Sequence, residues 1–237
     1  MKGKEKRMVL LRLEDIKKHY ELGKTKIEAV KGVSFEVEEG DFISIVGPSG
    51  CGKTTLLNIL GLIDEPSSGT IYFEDKNMGS IDDNEGAETR LTKIGFIFQS
   101  FNLIPVLTIY ENIEFPMILS GVKKRERKER IDHLVSSVGL DDFISHKPDE
   151  LSGGQRQRVA IARSLVNQPR VVIADEPTAN LDSETGGMVV ELMRSLNEEQ
   201  QVTFIFSTHN PEVMKYARKV FYLRDGLIEK TGKGEAA

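Results

Sequence analysis

Gly47, Gly52, Lys53 and Thr54 stand at the spacing GxxxxGK[ST] inside the run GPSGCGKTT, Gly47 to Thr55. Small residues at that spacing let successive backbone N–H groups turn inward around a phosphate. Pro48, Ser49, Gly50, Cys51 and Thr55 fill out the same cradle. A helix beginning near Lys53 would add its unsatisfied donors and the positive end of its dipole. Lys53 would carry charge to the β- and γ-phosphates of a nucleotide, and Thr54 would offer a hydroxyl to Mg²⁺ on the same oxygens. The alternative, a glycine turn with Lys53 merely exposed, matches the pattern by chance in about one chain in a hundred of this length. Cys51 allows two readings: a thiol activated by the helix N-terminus, or a small residue filling a variable slot.

Completing such a site takes an acid, and VVIADEP offers two. Val171 to Ala174 read as a buried strand that ends in Asp175 and Glu176, and ligands of open α/β sheets bind beyond the carboxyl ends of strands. Asp175 would then hold Mg²⁺, mostly through its waters, while Glu176 would orient and polarise the water that attacks the γ-phosphate. A plain strand terminator before Pro177 is the competing explanation.

Leu151 to Gln155 (LSGGQ) precede RQRVAIARSL, whose Val159, Ile161, Ala162 and Leu165 fall at helical spacing. Ser152 is a natural N-cap, and with the two glycines it places a second anion site at a helix start. An ordinary cap accounts for Ser152 but not for Gly153 and Gly154, which cost a helix about 1 kcal/mol each against alanine. Something must approach the backbone closely there.

The elements that would position these groups read as strands at Val9 to Leu13, Val33 to Val37, Phe42 to Val46, Thr70 to Phe73, Ile94 to Phe98, Val171 to Ala174, Val202 to Phe206 and Val220 to Leu223. The first three look antiparallel, with Glu38, Glu39 and Gly40 as a turn. From Phe42 onward, strand, Gly-rich loop and helix (Lys53 to Ile63) signal an α/β architecture with a parallel sheet. Between Phe101 and Val166 the patterns are helical, at Thr108 to Leu119, Lys123 to Val138 and Gln155 to Val166. Lys123 to Arg130 (KKRERKER) interleaves Glu126 and Glu129 with its bases, as a solvated helix face does. Thr231 to Ala237 reads as a frayed tail.

A chain of 237 residues, 39% hydrophobic and 29% charged, can bury a core without disulfides. Its single cysteine makes no argument for an oxidising compartment, which favours the cytoplasm. Lys2, Lys4, Lys6 and Arg7 resemble the charged start of an export signal, but no apolar core follows. No apolar stretch nears the roughly 20 residues of a membrane-spanning helix. A net charge of -5 argues against a broad nucleic-acid-binding face.

In this order the motifs resemble the ABC ATPase family from about Leu10 to Gly232. Tyr20 (KKHYELG) matches the aromatic that stacks on adenine, and Gln99 (GFIFQS) the Q-loop glutamine of the catalytic and Mg²⁺ site. Asp182 (ANLDS) matches the D-loop aspartate, and His209 (FSTHN) the switch histidine at the γ-phosphate. The resemblance implies a P-loop NTPase core with a mixed, largely parallel sheet, an N-terminal antiparallel β subdomain and a helical insertion. It implies one domain over 8–237, with core at about 8–100 and 167–232, a helical part at about 101–166, and flexible ends at 1–7 and 233–237. ATP and Mg²⁺ are the implied ligands, with Lys53, Glu176, His209 and Gln99 catalytic. Thr54, Gln99 and Asp175 would lie at the metal. Two chains would assemble head to tail, so that Ser152, Gly153, Gly154, Gln155 and Asp182 complete the partner's nucleotide site.

A separate membrane permease is the other implied partner; it would hold the chain at the cytoplasmic face of the membrane, with Phe101, Leu103, Ile104, Leu107 and Ile109 as its contact or as core of the helical part. FNLIPVLTIYENIEFP, Phe101 to Pro116, with ELSGGQRQRVAIARSL, looks like the lipoprotein-release and macrolide-efflux group, which includes the cell-division ATPase. An ABC ATPase of iron–sulfur assembly or of mechanical signalling is the alternative. Asn210 stands where aspartate is common, and Ala179 with Asn180 departs from the usual glycine-containing pair. Neither change removes a catalytic group.

Overall fold

The computed structural model describes residues 7–23 and 25–234, so the ends 1–6 and 235–237 lie outside the described residues. The chain first lays down β1 (Val9–Leu22) and β2 (Thr25–Glu38) as an antiparallel pair. With β4 (Ser68–Phe73) and β5 (Lys76–Asn77) they form one sheet in the order β2-β1-β4-β5. The second sheet contains β3 (Phe42–Val46), β6 (Ile94–Ile97), β7 (Val171–Ala174), β8 (Thr203–Thr208), β9 (Lys219–Arg224) and β10 (Leu227–Gly232). Its order is β10-β9-β3-β8-β7-β6, parallel throughout except for the antiparallel pair of β9 and β10.

The third strand is therefore not antiparallel to the first two, contrary to expectation. Gly40, at φ 75°, turns the chain out of the first sheet. Phe42 to Val46 are all buried, as suits a strand flanked by parallel neighbours and covered on both faces. The tail is corrected too: Thr231 and Gly232 belong to β10 and pair with Phe221 and Val220.

Alternate residues of the large sheet sort into two cores. Ile43, Ile45, Val171, Ile173 and Ile205 face the first sheet, and α1 (Lys53–Leu60) drives Leu56, Leu57, Ile59 and Leu60 into that layer. Each such side chain contributes about 1.5–3 kcal/mol of burial. Phe42, Val46, Val172, Ala174, Phe204 and Phe206 face the other core. There they meet α6 (Ser183–Gln200) through Val189, Val190, Met193 and Leu196.

The helices α3 (Ile109–Leu119), α4 (Lys124–Ser137) and α5 (Gly153–Leu165) follow β6 and precede β7, while α2 (Asp83–Lys93) precedes β6 and α7 (Pro211–Met214) follows β8. α3 starts with a reciprocal cap between Thr108 and Glu111. On α4, Arg125 pairs with Glu129 at 3.0 Å, Lys128 with Asp132 at 2.7 Å, and Arg130 with Glu126, while Arg127 reaches Glu114 of α3 at 2.8 Å. That basic run is a solvated helix face. Of the apolar segment after Gln99, Ile109 is fully in the core, whereas Phe101, Leu103, Ile104 and Leu107 are half-buried. The apolar surface lies beside them, on Val106, Phe115, Ile118 and Leu119. Among the described residues no helix is long and apolar enough to cross a membrane.

Candidate functional site

Because β3, β8, β7 and β6 run parallel and adjacent, their carboxyl ends deliver the phosphate loop, Ser207 to His209, Asp175 with Glu176, and Gln99 along one edge in that order. The loop after β3 has no room for side chains at two of its glycines. A Cβ on Gly47 would stand 2.1 Å from the carbonyl oxygen of Leu223, and one on Gly52 2.3 Å from that of Ala29, with Gly52 at φ 105°. Beyond Gly52 the first helical bond is Leu56 N–H to the Gly52 carbonyl at 2.9 Å. The N–H groups of Lys53, Thr54 and Thr55 thus have no helical acceptor. α1 also lacks a side-chain cap and an acid in its first turn, whereas Asp82, Thr108, Ser152 and Asp182 cap α2, α3, α5 and α6. A helix start left open in this way fits a polyanion.

Lys53 is only 6% exposed. Its Nζ donates to the carbonyls of Gly47 at 2.9 Å and Pro48 at 3.2 Å, and lies 3.4 Å from Glu176 Oε1. Thr54 Oγ1 donates to Asp175 Oδ2 at 2.8 Å. The other oxygen of Asp175 accepts from Ser207 Oγ at 2.6 Å, and Ser207 Oγ accepts the Glu176 N–H at 2.8 Å. Ser207 therefore ties both acids to β8. Nothing in the sequence marked it, since a serine inside an apolar strand has no pattern of its own. Glu176 is left-handed at φ 44°, a conformation costing a non-glycine residue about 1–3 kcal/mol. Its carboxylate stands between Lys53 and His209, whose Nδ1 lies 2.8 Å from Oε2.

Tyr20 comes down on β1. Its hydroxyl donates to Asp64 at 2.7 Å, and Lys18 Nζ donates to Asp64 at 2.6 Å while standing 5.1 Å from the ring centre. Tyr20 remains 38% exposed. Gln99 has an exposed side chain, and its carbonyl accepts from Asn180 Nδ2 at 2.8 Å. Asn180 thus fastens the segment after β7 to the segment after β6. Asn210 caps α7 through Glu212 N–H at 2.9 Å, which an aspartate oxygen would do equally.

Ser152 and Gln155 cap each other at the start of α5. The close neighbour that Gly153 and Gly154 require is found within the chain. A Cβ on Gly154 would stand 2.5 Å from Thr185 Cγ2, and one on Gly153 3.1 Å from Leu181 Cδ2. Asp182 accepts from Thr185 N–H at 2.9 Å. Ser152 to Gln155 and Asp182 thus form a second cluster, and among the described residues no hydrogen bond or ion pair joins it to the phosphate loop. Cys51 is buried, and burial, only partly opposed by Lys53, pushes its thiol above the usual range. The activated-thiol reading is set aside.

Thr54 and Asp175 provide hard oxygen donors, which suit Mg²⁺. Among the described residues no three His, Cys, Asp or Glu side chains gather into a metal cage. A metal here would take most of its shell from water and phosphate oxygens, as Mg²⁺ usually does.

The model of the ABC transporter family matches residues 30–179. The chain is 49% identical over 220 residues to an ABC transporter ATP-binding protein of Thermotoga maritima, covering 93% of this chain and 94% of that one. It is 42% identical over 219 residues to the lipoprotein-releasing system ATP-binding protein LolD of Saccharophagus degradans, covering 92% and 96%. Among solved structures, the ATP-binding cassette MJ0796 in a dimeric post-hydrolysis state with ADP and Pi superposes with a TM-score of 0.87 at 42% identity, covering 94% of this chain and 98% of that one. The expected mixed sheet, antiparallel β layer and helical insertion are those of such cassettes. With an open phosphate loop faced by paired acids and a histidine, the chain belongs to the ABC transporter family as an ATP-binding subunit that hydrolyses ATP.

Proposed function

We propose that Glu176 is the general base of ATP hydrolysis and that the geometry around it carries the reaction. The observation behind this is its carboxylate, placed between Lys53 Nζ at 3.4 Å and His209 Nδ1 at 2.8 Å. Lys53 exchanges the carbonyls of Gly47 and Pro48 for the nucleotide's phosphates, while the N–H groups at the start of α1 receive the same charge. Glu176, relieved of Lys53, accepts a proton from the attacking water. His209 holds the γ-phosphate, and Gln99 orients the water from the next strand end. Thr54, Asp175 and Gln99 hold Mg²⁺, which when bound neutralises charge on the phosphate oxygens. Tyr20 stacks on the adenine.

The productive unit is a pair of chains. Ser152, Gly153, Gly154, Gln155 and Asp182 form a cluster apart from their own phosphate loop, so in a head-to-tail pair they are available to a second copy's nucleotide. The dimeric state of the MJ0796 cassette supports this arrangement. Its output passes to a separate membrane permease at the cytoplasmic face, and the similarity to LolD and to the macrolide export protein MacB supports the lipoprotein-release and macrolide-efflux group.

Glu176→Gln tests the assignment. It keeps the size of the side chain and removes the base, so ATP binding should persist, turnover should fall by about 10²-fold or more, and an ATP-dependent dimer should accumulate in light scattering. Undiminished hydrolysis would exclude Glu176 as the base.

A further inference from the structure

The segment that follows Gln99 is held in an unusual way. Phe101 and Asn102 are consecutive non-glycine residues in the left-handed region, at φ 61° and 49°. That conformation lasts only where the surroundings impose it. What imposes it here comes from α5. Arg163 Nη2 donates to the Phe101 carbonyl at 2.8 Å, and Nη1 donates to the Asn102 carbonyl. Arg163 is half-buried and meets no carboxylate among the described residues, and burial draws its guanidinium below the usual range. Arg156, seven residues earlier and so two turns away on the same face, places its guanidinium 5.3 Å from the Phe101 ring centre. An arginine drawn partly out of water without a counterion is costly unless its donors are well used; here the planar fork spans two adjacent carbonyls.

We propose that Arg163 is a positioning residue for ATP hydrolysis: it clamps Phe101 and Asn102 to α5, so that Gln99, three residues before Asn102, is set by the same helix that begins at Ser152. The other side of Gln99 is fastened by Asn180 through its carbonyl. Gln99 is therefore bracketed between α5 and the segment ahead of Asp182, and a displacement of α5 reaches the water-orienting residue without passing through the core. This inference rests on the assignment of Gln99 to the hydrolytic site.

The test compares Arg163→Met, Arg163→Lys, Gln99→Ala and the Arg163→Met/Gln99→Ala pair in the full chain, reading kcat, KM, ATP affinity and melting temperature. Arg163→Met should lower kcat about ten- to a hundredfold, as for a misplaced catalytic group, with ATP affinity unchanged. Lysine should restore little, because one ammonium cannot reproduce a fork across two carbonyls. The double variant should be no slower than the slower single one, since both changes act through one group. Additive losses, or a loss in Gln99→Ala beside normal turnover in Arg163→Met, would overturn the clamp alone. Normal turnover in Gln99→Ala would remove the assignment beneath it and overturn both. Should Arg163→Met fail to fold, Arg163→Gln keeps a polar side chain there but cannot span both carbonyls. It should lower kcat at an unchanged melting temperature, and an unchanged kcat there would equally overturn the proposal.

Discussion

Two side chains near the nucleotide site are controlled by their immediate surroundings. Cys51 sits within the phosphate loop, yet its thiol is buried and pushed up by that burial. Since the thiolate is the reactive form, iodoacetamide at neutral pH should leave Cys51 of the native chain unmodified over the time that alkylates the urea-unfolded chain completely. Rapid modification of the native chain would contradict this. Asp64 is the opposite case. Burial would raise its carboxyl, but the hydrogen bonds from Lys18 and Tyr20 lower it and win. A carboxyl lowered in the folded state stabilises the fold above its unfolded value, and that stabilisation is lost as the pH falls through the folded value. Urea unfolding should show the chain more stable than Asp64→Asn at pH 6, with the gap closing below about pH 3.9. A constant gap would mean that Asp64 acts by packing. At this scale Lys53, Thr54, Asp175 and Glu176 were legible because their spacing is itself a chemical pattern. Ser207, Asn180 and Arg163 were not, since each acts only through a partner far away in sequence.

Among the elements, α5 carries a packing constraint at its first turn. Gly154→Ala would bring a methyl within 2.5 Å of Thr185 Cγ2. Alanine gains about 1 kcal/mol of helix propensity, but overpacking costs about 1–3 kcal/mol. The net effect expected in thermal unfolding is destabilisation, relieved by adding Thr185→Ser, which deletes Cγ2. Failure of the serine to restore the melting temperature would place the strain elsewhere. The inner strands β3, β7 and β8 could be read as β-branched runs because burial on both faces demands them. The far half of β1, from Lys17 to Leu22, could not, because it pairs with β2 largely in solvent and its charged side chains mask the alternation. β10 escaped for the same reason: most of its residues are exposed on an edge strand. The antiparallel reading of β3 failed at Gly40, where local turn chemistry gives no hint that the chain is changing sheets.

For the molecule as a whole, the exposed apolar surface lies beside the segment after Gln99 rather than along it. Ile109 belongs to the core, while Val106 is 75% exposed and Leu119 60%, with Phe115 and Ile118 also on the surface. Replacing Val106, Phe115 and Leu119 with serine should leave the melting temperature and basal ATP hydrolysis of the isolated subunit near normal, since exposed sites usually shift stability by no more than about 0.5 kcal/mol each. The same variant should lose association with its own cell membranes in a sedimentation assay. Retained association would move the permease contact off this face.

The order β3-β8-β7-β6 sets a dimension as well as a topology. Neighbouring strands lie about 4.8 Å apart, so the edge from the phosphate loop to Gln99 measures about 14 Å in three equal steps. Backbone hydrogen bonds fix those intervals, and no loop can renegotiate them. The sheet edge is a ruler, graduated with lysine, histidine, carboxylates and amide. Point substitutions erase a mark on it, but only the loss or insertion of a strand would change its scale.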